Sequence, residues 1–171
     1  MDSVRSFVGT RRGVVRRRLN ANNVDNRCEL GEVLELMRLL WKIDHGLQST
    51  SKRMASTLGV TGPQRLVIRV VGQFPGIVAR NVSEILCIHP STLTGIVQRL
   101  EERQILKRVI DPKDKRRSHL HLTGIGQAVN RCRMGTVEAA VRRVMAQVKS
   151  EELRAGQALL RLLGEELLVK Q

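Results

Sequence analysis

The stretch from Pro90 to Leu122 limits most sharply what this chain can fold into. Leu93, Ile96, Val97 and Leu100 recur at spacings of three and four, the period of an amphipathic helix, and leave Ser91, Thr92, Gly95, Gln98, Arg99 and Glu102 on the remaining surface. That face is short, polar and capable of hydrogen bonding. Two strand-like runs follow, Leu106 to Ile110 and Ser118 to Leu122. Between them lies Asp111-Pro112-Lys113-Asp114-Lys115-Arg116-Arg117, in which Asp and Pro supply turn chemistry and the bases crowd the tip. The pattern predicts a helix leading into a hairpin with a cationic end.

The flanks are helical. Leu30, Val33, Leu34, Met37, Leu40 and Trp41 predict a helix running into the low fifties. Thr61 is placed to cap a second helix, with Pro63 in its first turn and Leu66, Val67, Val70 and Val71 as its apolar side, ended by Phe74-Pro75-Gly76. A short third helix holds Val82, Ile85 and Leu86. After Thr123-Gly124 the helical period returns in Val129, Cys132, Thr136, Ala140, Val144 and Val148, and Ser150-Glu151-Glu152 opens a last helix rich in leucine. The expected fold is mostly α with a small β component (α+β), a winged helix-turn-helix flanked by helices at both ends. The apolar faces of the flanking helices exceed what one small winged domain can cover, so a second copy related by a two-fold axis is the simplest closed solution. Four segments result: a basic arm over 1–27, a dimerisation helix over 28–60, the winged domain over 61–123 and C-terminal dimerisation helices over 124–171.

Charge narrows the partners. Thirty Lys and Arg against sixteen Asp and Glu give a net charge of +14, with an excess of five in residues 1–27 and six in 61–123. A polyanion, and in the first instance nucleic acid, is the expected partner. With Phe7, Trp41 and Phe74 as the aromatic residues, base stacking on an aromatic platform has almost no material to work with, which favours duplex over single strands. No apolar run approaches the roughly 18 to 20 residues of a membrane span, and the arginine-rich start lacks the apolar core of a secretory signal, so the cytoplasm is expected. Cys28, Cys87 and Cys132 form no CxxC pair, which leaves out a zinc knuckle and a disulfide framework. Each reads first as a small buried or neutral residue, and Cys28, between Arg27 and Glu29, is the one candidate redox thiol. His119 and His121 share one side of a strand without a third ligand near in sequence, so they read as surface histidines rather than a metal site. Catalytic signatures such as GxSxG, a Walker A loop or HExxH are missing, and neither an enzyme nor a cofactor is expected.

Three groups of residues resemble the MarR family of bacterial transcription regulators. Thr61-Gly62-Pro63-Gln64 with Pro75-Gly76 is similar to the family's second helix and its exit. His89-Pro90-Ser91-Thr92-Leu93-Thr94 followed by Arg99-Leu100-Glu101 is similar to its recognition helix, and Asp111-Pro112-x-Asp114-x-Arg116 with Leu120-x-Leu122-Thr123-x-x-Gly126 resembles its wing and the helix beyond. The resemblance covers about residues 30 to 168. It implies a homodimeric repressor reading a pseudo-palindrome, with two recognition helices roughly 34 Å apart, and leaves room for a small-molecule effector. Ser91, Thr92, Thr94, Gln98 and Arg99 would then contact base edges and phosphates in the major groove, while Lys113, Lys115, Arg116 and Arg117 would reach the minor groove and the backbone. Met37, Trp41 and His45, on one stripe of the first helix, are candidates to line an effector pocket or simply to pack in a dimer. Two other readings stay open: an architectural protein that coats DNA without sequence preference, and a winged-helix module that docks an acidic protein.

Overall fold

The computed structural model describes residues 31–112, 114 and 117–168. Among them the elements run α1 (Glu32–Thr57), α2 (Gly62–Gln73), β1 (Ile77–Val78), α3 (Ala79–Leu86), α4 (Pro90–Glu102), β2 (Leu106–Ile110), β3 (Ser118–Leu122), α5 (Gly124–Arg131), α6 (Val137–Met145) and α7 (Ser150–Leu168). The chain forms two compact units, Met1–Leu39 and Leu40–Gln171. In the first, the described residues open α1, where Glu35 and Arg38 pair one turn apart at 2.5 Å. The second holds the core.

Helix starts follow their caps. The Thr61 hydroxyl accepts from the Gln64 amide at 3.4 Å while the Gln64 side chain accepts from the Thr61 amide at 3.0 Å, a reciprocal box that satisfies two donors at the start of α2. Thr123 and Thr136 cap α5 and α6 in the simpler way, accepting from Gly126 at 3.1 Å and Ala139 at 3.2 Å. The sheet is antiparallel in the order β1-β3-β2, with Leu106 opposite Leu122 and Ile110 opposite Ser118, so the hairpin forms over the predicted runs. β1 is a two-residue strand, Ile77 opposite Leu120 and Val78 opposite His119, too short to show a period in sequence.

Val67, Ile68 and Val71 from α2, Val82 from α3, Leu93, Ile96, Val97 and Leu100 from α4, and Ile105, Leu106 and Leu120 around the hairpin form one buried cluster with Val60. At about 1.5–3 kcal/mol per fully buried aliphatic side chain, this cluster is what holds the winged domain together. The flanking helices contribute little to it. α6 and α7 bury no residue and α1 buries only Met54, while Val33, Trp41, Leu162 and Leu167 stand 73, 68, 65 and 73% exposed.

One expected element is divided. The single helix read from 124 to about 148 breaks after Arg131 and restarts at Val137. Arg65, 3% exposed on α2, donates to the carbonyls of Val129, Asn130 and Cys132, which takes those acceptors out of a continuing helix. Gly135 then turns the chain at φ +70° and Thr136 begins α6. Cys132 is therefore the C-cap of α5 and not part of an unbroken apolar stripe. Ser150 is the first residue of α7, and it is Glu152 that reaches back to accept from the Lys149 amide at 2.8 Å.

Candidate nucleic-acid interface

The geometry of α4 is set by the turn before it. Cys87 ends α3 in the left-handed region, φ 50°, a conformation that costs a residue with a side chain about 1 kcal/mol or more and here lets its own amide and that of Ile88 close onto Glu84 and Ser83. Cys87 is exposed, not buried as its type suggested. His89 follows in extended conformation; its Nδ1 accepts from the Ser91 amide at 3.3 Å and lies 2.7 Å from the Ser91 hydroxyl. Pro90, with φ fixed and no N–H to orphan, begins the helix. At the far end Arg108 of β2 donates to Glu101 at 3.0 Å, and Arg103 donates to the Gly59 carbonyl. α4 is thus held at both ends.

Ser91, Thr92, Thr94, Gln98 and Arg99 are all exposed, while Leu93, Ile96, Val97 and Leu100 are buried. The polar groups of this face bond to near neighbours: Thr94 donates to the Pro90 carbonyl at 2.9 Å and Gln98 to Glu102 at 3.0 Å. Such local bonds leave the side chains ordered and exchangeable for an external partner. Arg99 has no partner among the described residues and projects a free cation from the last turn.

At the hairpin tip, Arg117 is exposed and pairs with Asp114 at 3.3 Å, and its carbonyl accepts from the Asp111 amide at 3.0 Å. Lys113, Lys115 and Arg116 lie outside the described residues, as do Cys28 and the arm over 1–27. On α1, Met37, Trp41 and His45 are each exposed.

His119 does something its alternation in sequence did not suggest. Its Nδ1 is 2.7 Å from the Gly76 carbonyl and its Nε2 is 3.1 Å from the Asp111 carboxylate. Both are acceptors, so both ring nitrogens must carry hydrogen, which only the imidazolium does. The bond to Asp111, and then that to Gly76, hold its pKa above the ordinary histidine value. A raised folded pKa contributes stability that is complete below the unfolded value, about 6.5, and is lost as pH rises through the folded value. Urea unfolding of the protein and of His119→Asn, from about pH 6 to above the histidine range, is expected to show the protein losing more stability than the variant. Parallel profiles would mean that the two bonds do not hold together in solution.

Among the described residues, no helix is long and apolar enough to cross a membrane. Comparison with known proteins places these features in context. A sequence model described as MarR family matches residues 58–117. An HTH-type transcriptional repressor of Mycobacterium tuberculosis is 24% identical over 128 residues, 75% of this chain and 92% of that protein. The PcaV transcriptional regulator of Streptomyces coelicolor, solved with its natural ligand, is 29% identical over 80% of this chain and 96% of its own, with a TM-score of 0.65; a second structure of it gives 30% identity over 76% and 95%. The MepR–DNA complex of S. aureus, at 19% identity, 76% and 96% coverage and TM-score 0.65, shares the fold.

Proposed function

The chain belongs to the MarR family, and from that premise we propose that it is a transcriptional repressor that acts as a homodimer on a pseudo-palindromic duplex site. The observation that carries the reading is the outer face of α4: five exposed hydrogen-bonding side chains on a helix whose other face is locked into the core and whose C-terminal end is tied to β2 and the α1–α2 turn. On this reading Arg99 and Gln98 take base edges or phosphates, Ser91, Thr92 and Thr94 make adaptable contacts, and Arg117, with Lys113, Lys115 and Arg116, holds the backbone beside the minor groove. The exposed apolar faces of α1, α6 and α7 meet the same faces of a second copy, which sets two recognition helices side by side. Met37, Trp41 and His45 line an effector pocket once that copy is in place, and the protein works in the cytoplasm without catalysis.

Selection of bound sequences from a random duplex pool, followed by affinity for the winner against scrambled DNA, tests this reading. The expected result is a pseudo-palindrome preferred about a thousandfold or more. If the dimer neutralises on the order of eight phosphates, log K falls by about seven per decade of salt. Arg99→Ala is expected to cost the selected site about 1–3 kcal/mol and scrambled DNA less. No enriched motif, with affinity that collapses alike for every duplex, would replace this reading with the architectural one.

A further inference from the structure

Ser91 lies on the exposed face of α4, and the direction of its hydroxyl is set by a neighbour. A serine hydroxyl ordinarily offers one hydrogen and two lone pairs, and serves as donor or acceptor to either kind of base edge. Here His89 removes that freedom. Its Nδ1 lies 3.3 Å from the Ser91 amide nitrogen and 2.7 Å from the Ser91 hydroxyl oxygen. The two contacts are not independent, since an imidazole nitrogen is either a donor or an acceptor.

The amide decides which. A backbone N–H can only donate, and this one donates to the His89 side chain as the cap of α4, so Nδ1 carries no hydrogen and the neutral ring carries its one on Nε2. The hydroxyl at 2.7 Å must then donate as well, with its hydrogen lying between Oγ and Nδ1. Turning that hydrogen outward would set an oxygen lone pair against a nitrogen lone pair within hydrogen-bonding distance, with the bond lost and the repulsion unrelieved. Ser91 therefore presents lone pairs alone to whatever docks on α4. Both residues are exposed, so this edge is open to a partner. Phosphate oxygens and the keto groups of guanine and thymine are acceptors and find no hydrogen there, whereas the amino groups of adenine and cytosine are donors and do find an acceptor.

We propose that Ser91 selects an amino base, adenine or cytosine, over a keto base on the strand that it faces, and that His89 is the positioning residue that imposes the choice. The inference rests on the reading of α4 as the helix in the major groove and adds which base edges the start of that helix accepts. Every base pair carries an amino base on one strand and a keto base on the other, so the discrimination is between A·T or C·G and their reversals.

Selection from a random duplex pool, run on the protein, Ser91→Ala, His89→Ala and His89→Asn, tests this. Ser91→Ala should relax one position in each half-site, and the unaltered protein should prefer an amino base there about tenfold. His89→Ala should bring that ratio close to one, because the freed hydroxyl can donate to a keto oxygen. Loss of the cap weakens every duplex alike and leaves the ratio untouched, so the ratio is a readout that a purely structural role would not move. His89→Asn, which keeps a side-chain oxygen to accept at the same cap, should retain the preference. Purine in place of the selected adenine, or the pyrimidinone counterpart of a selected cytosine, deletes the amino group itself; it should weaken binding by the protein about tenfold, while Ser91→Ala binds both duplexes alike. A keto base at the position that Ser91→Ala relaxes, no position relaxed by it, or a ratio unchanged in His89→Ala overturns the inference and leaves the major-groove reading standing. No enriched motif for the unaltered protein overturns both.

Discussion

Gly126→Ala is expected to destabilise the winged domain by about 3 kcal/mol or more, at the upper end of what overpacking costs. A Cβ at this position would lie far inside van der Waals contact with the backbone carbonyl oxygen of Ile105, with the carbonyl carbon at 3.1 Å and the Leu122 Cβ at 3.3 Å. Side-chain clashes are relieved by rotation; this one is with backbone. The carbonyl is also held in place, since it accepts from the Thr123 amide at 3.1 Å and the Thr123 hydroxyl at 3.3 Å. Relief therefore requires α5 to slide off the hairpin or the Thr123 cap to break. For a chain of this size the midpoint of thermal unfolding should fall by about 6–12 °C. Calorimetry of the variant checks it, and a fall of a degree or two would mean that α5 is loosely seated on the sheet.

Arg65→Met should have the second large effect, about 3 kcal/mol, because it removes the buried partner of the half-buried Glu138 and leaves that carboxylate only Arg69, at 3.6 Å. Two losses combine here. Burial alone pushes the Glu138 carboxyl up, but its own backbone N–H and Arg65 more than offset this and hold it below the usual carboxylate range, so Arg65→Met leaves an ionised group with a longer, weaker pairing. The carbonyls of Val129, Asn130 and Cys132 each lose a donor as well, although Val129 keeps the Cys132 amide and Asn130 keeps Arg69. Urea unfolding of Arg65→Met, Glu138→Leu and the double variant separates the two: the double variant should recover only the carboxylate's share. A single-variant cost under about 1 kcal/mol would show that water satisfies these groups without the arginine.

What could be read in the sequence depended on how far apart the determining residues lie. The apolar stripe of α4 and the Thr61 cap are decided within a turn or two, and both were legible; so were the hairpin runs, whose alternation and Asp-Pro turn are local. The break between α5 and α6 was not. Val129, Cys132, Thr136 and Ala140 keep a helical spacing straight through it, and the residue that divides the helix lies more than sixty positions upstream. Gly135-Thr136, a helix-ending residue followed by a capping one, was the available local signal. His119 was hidden for the same reason, since Gly76 is 43 residues away and is brought in by pairing with β1. The outward polar face of α4 was legible by elimination, as the positions that the core does not use.

The exposed apolar faces of α1 and α7 bear on dosage. In the dimer proposed here a second copy covers Trp41, Val33, Leu162 and Leu167, so assembly itself follows mass action. Below the dissociation constant for assembly, the reading-competent form grows with the square of protomer number, and occupancy of an operator rises steeply instead of in proportion. A cell that halves the concentration of such a protein, as one generation of growth without new synthesis does, would lose up to about three-quarters of its dimer and, at an unsaturated operator, as much of its repression.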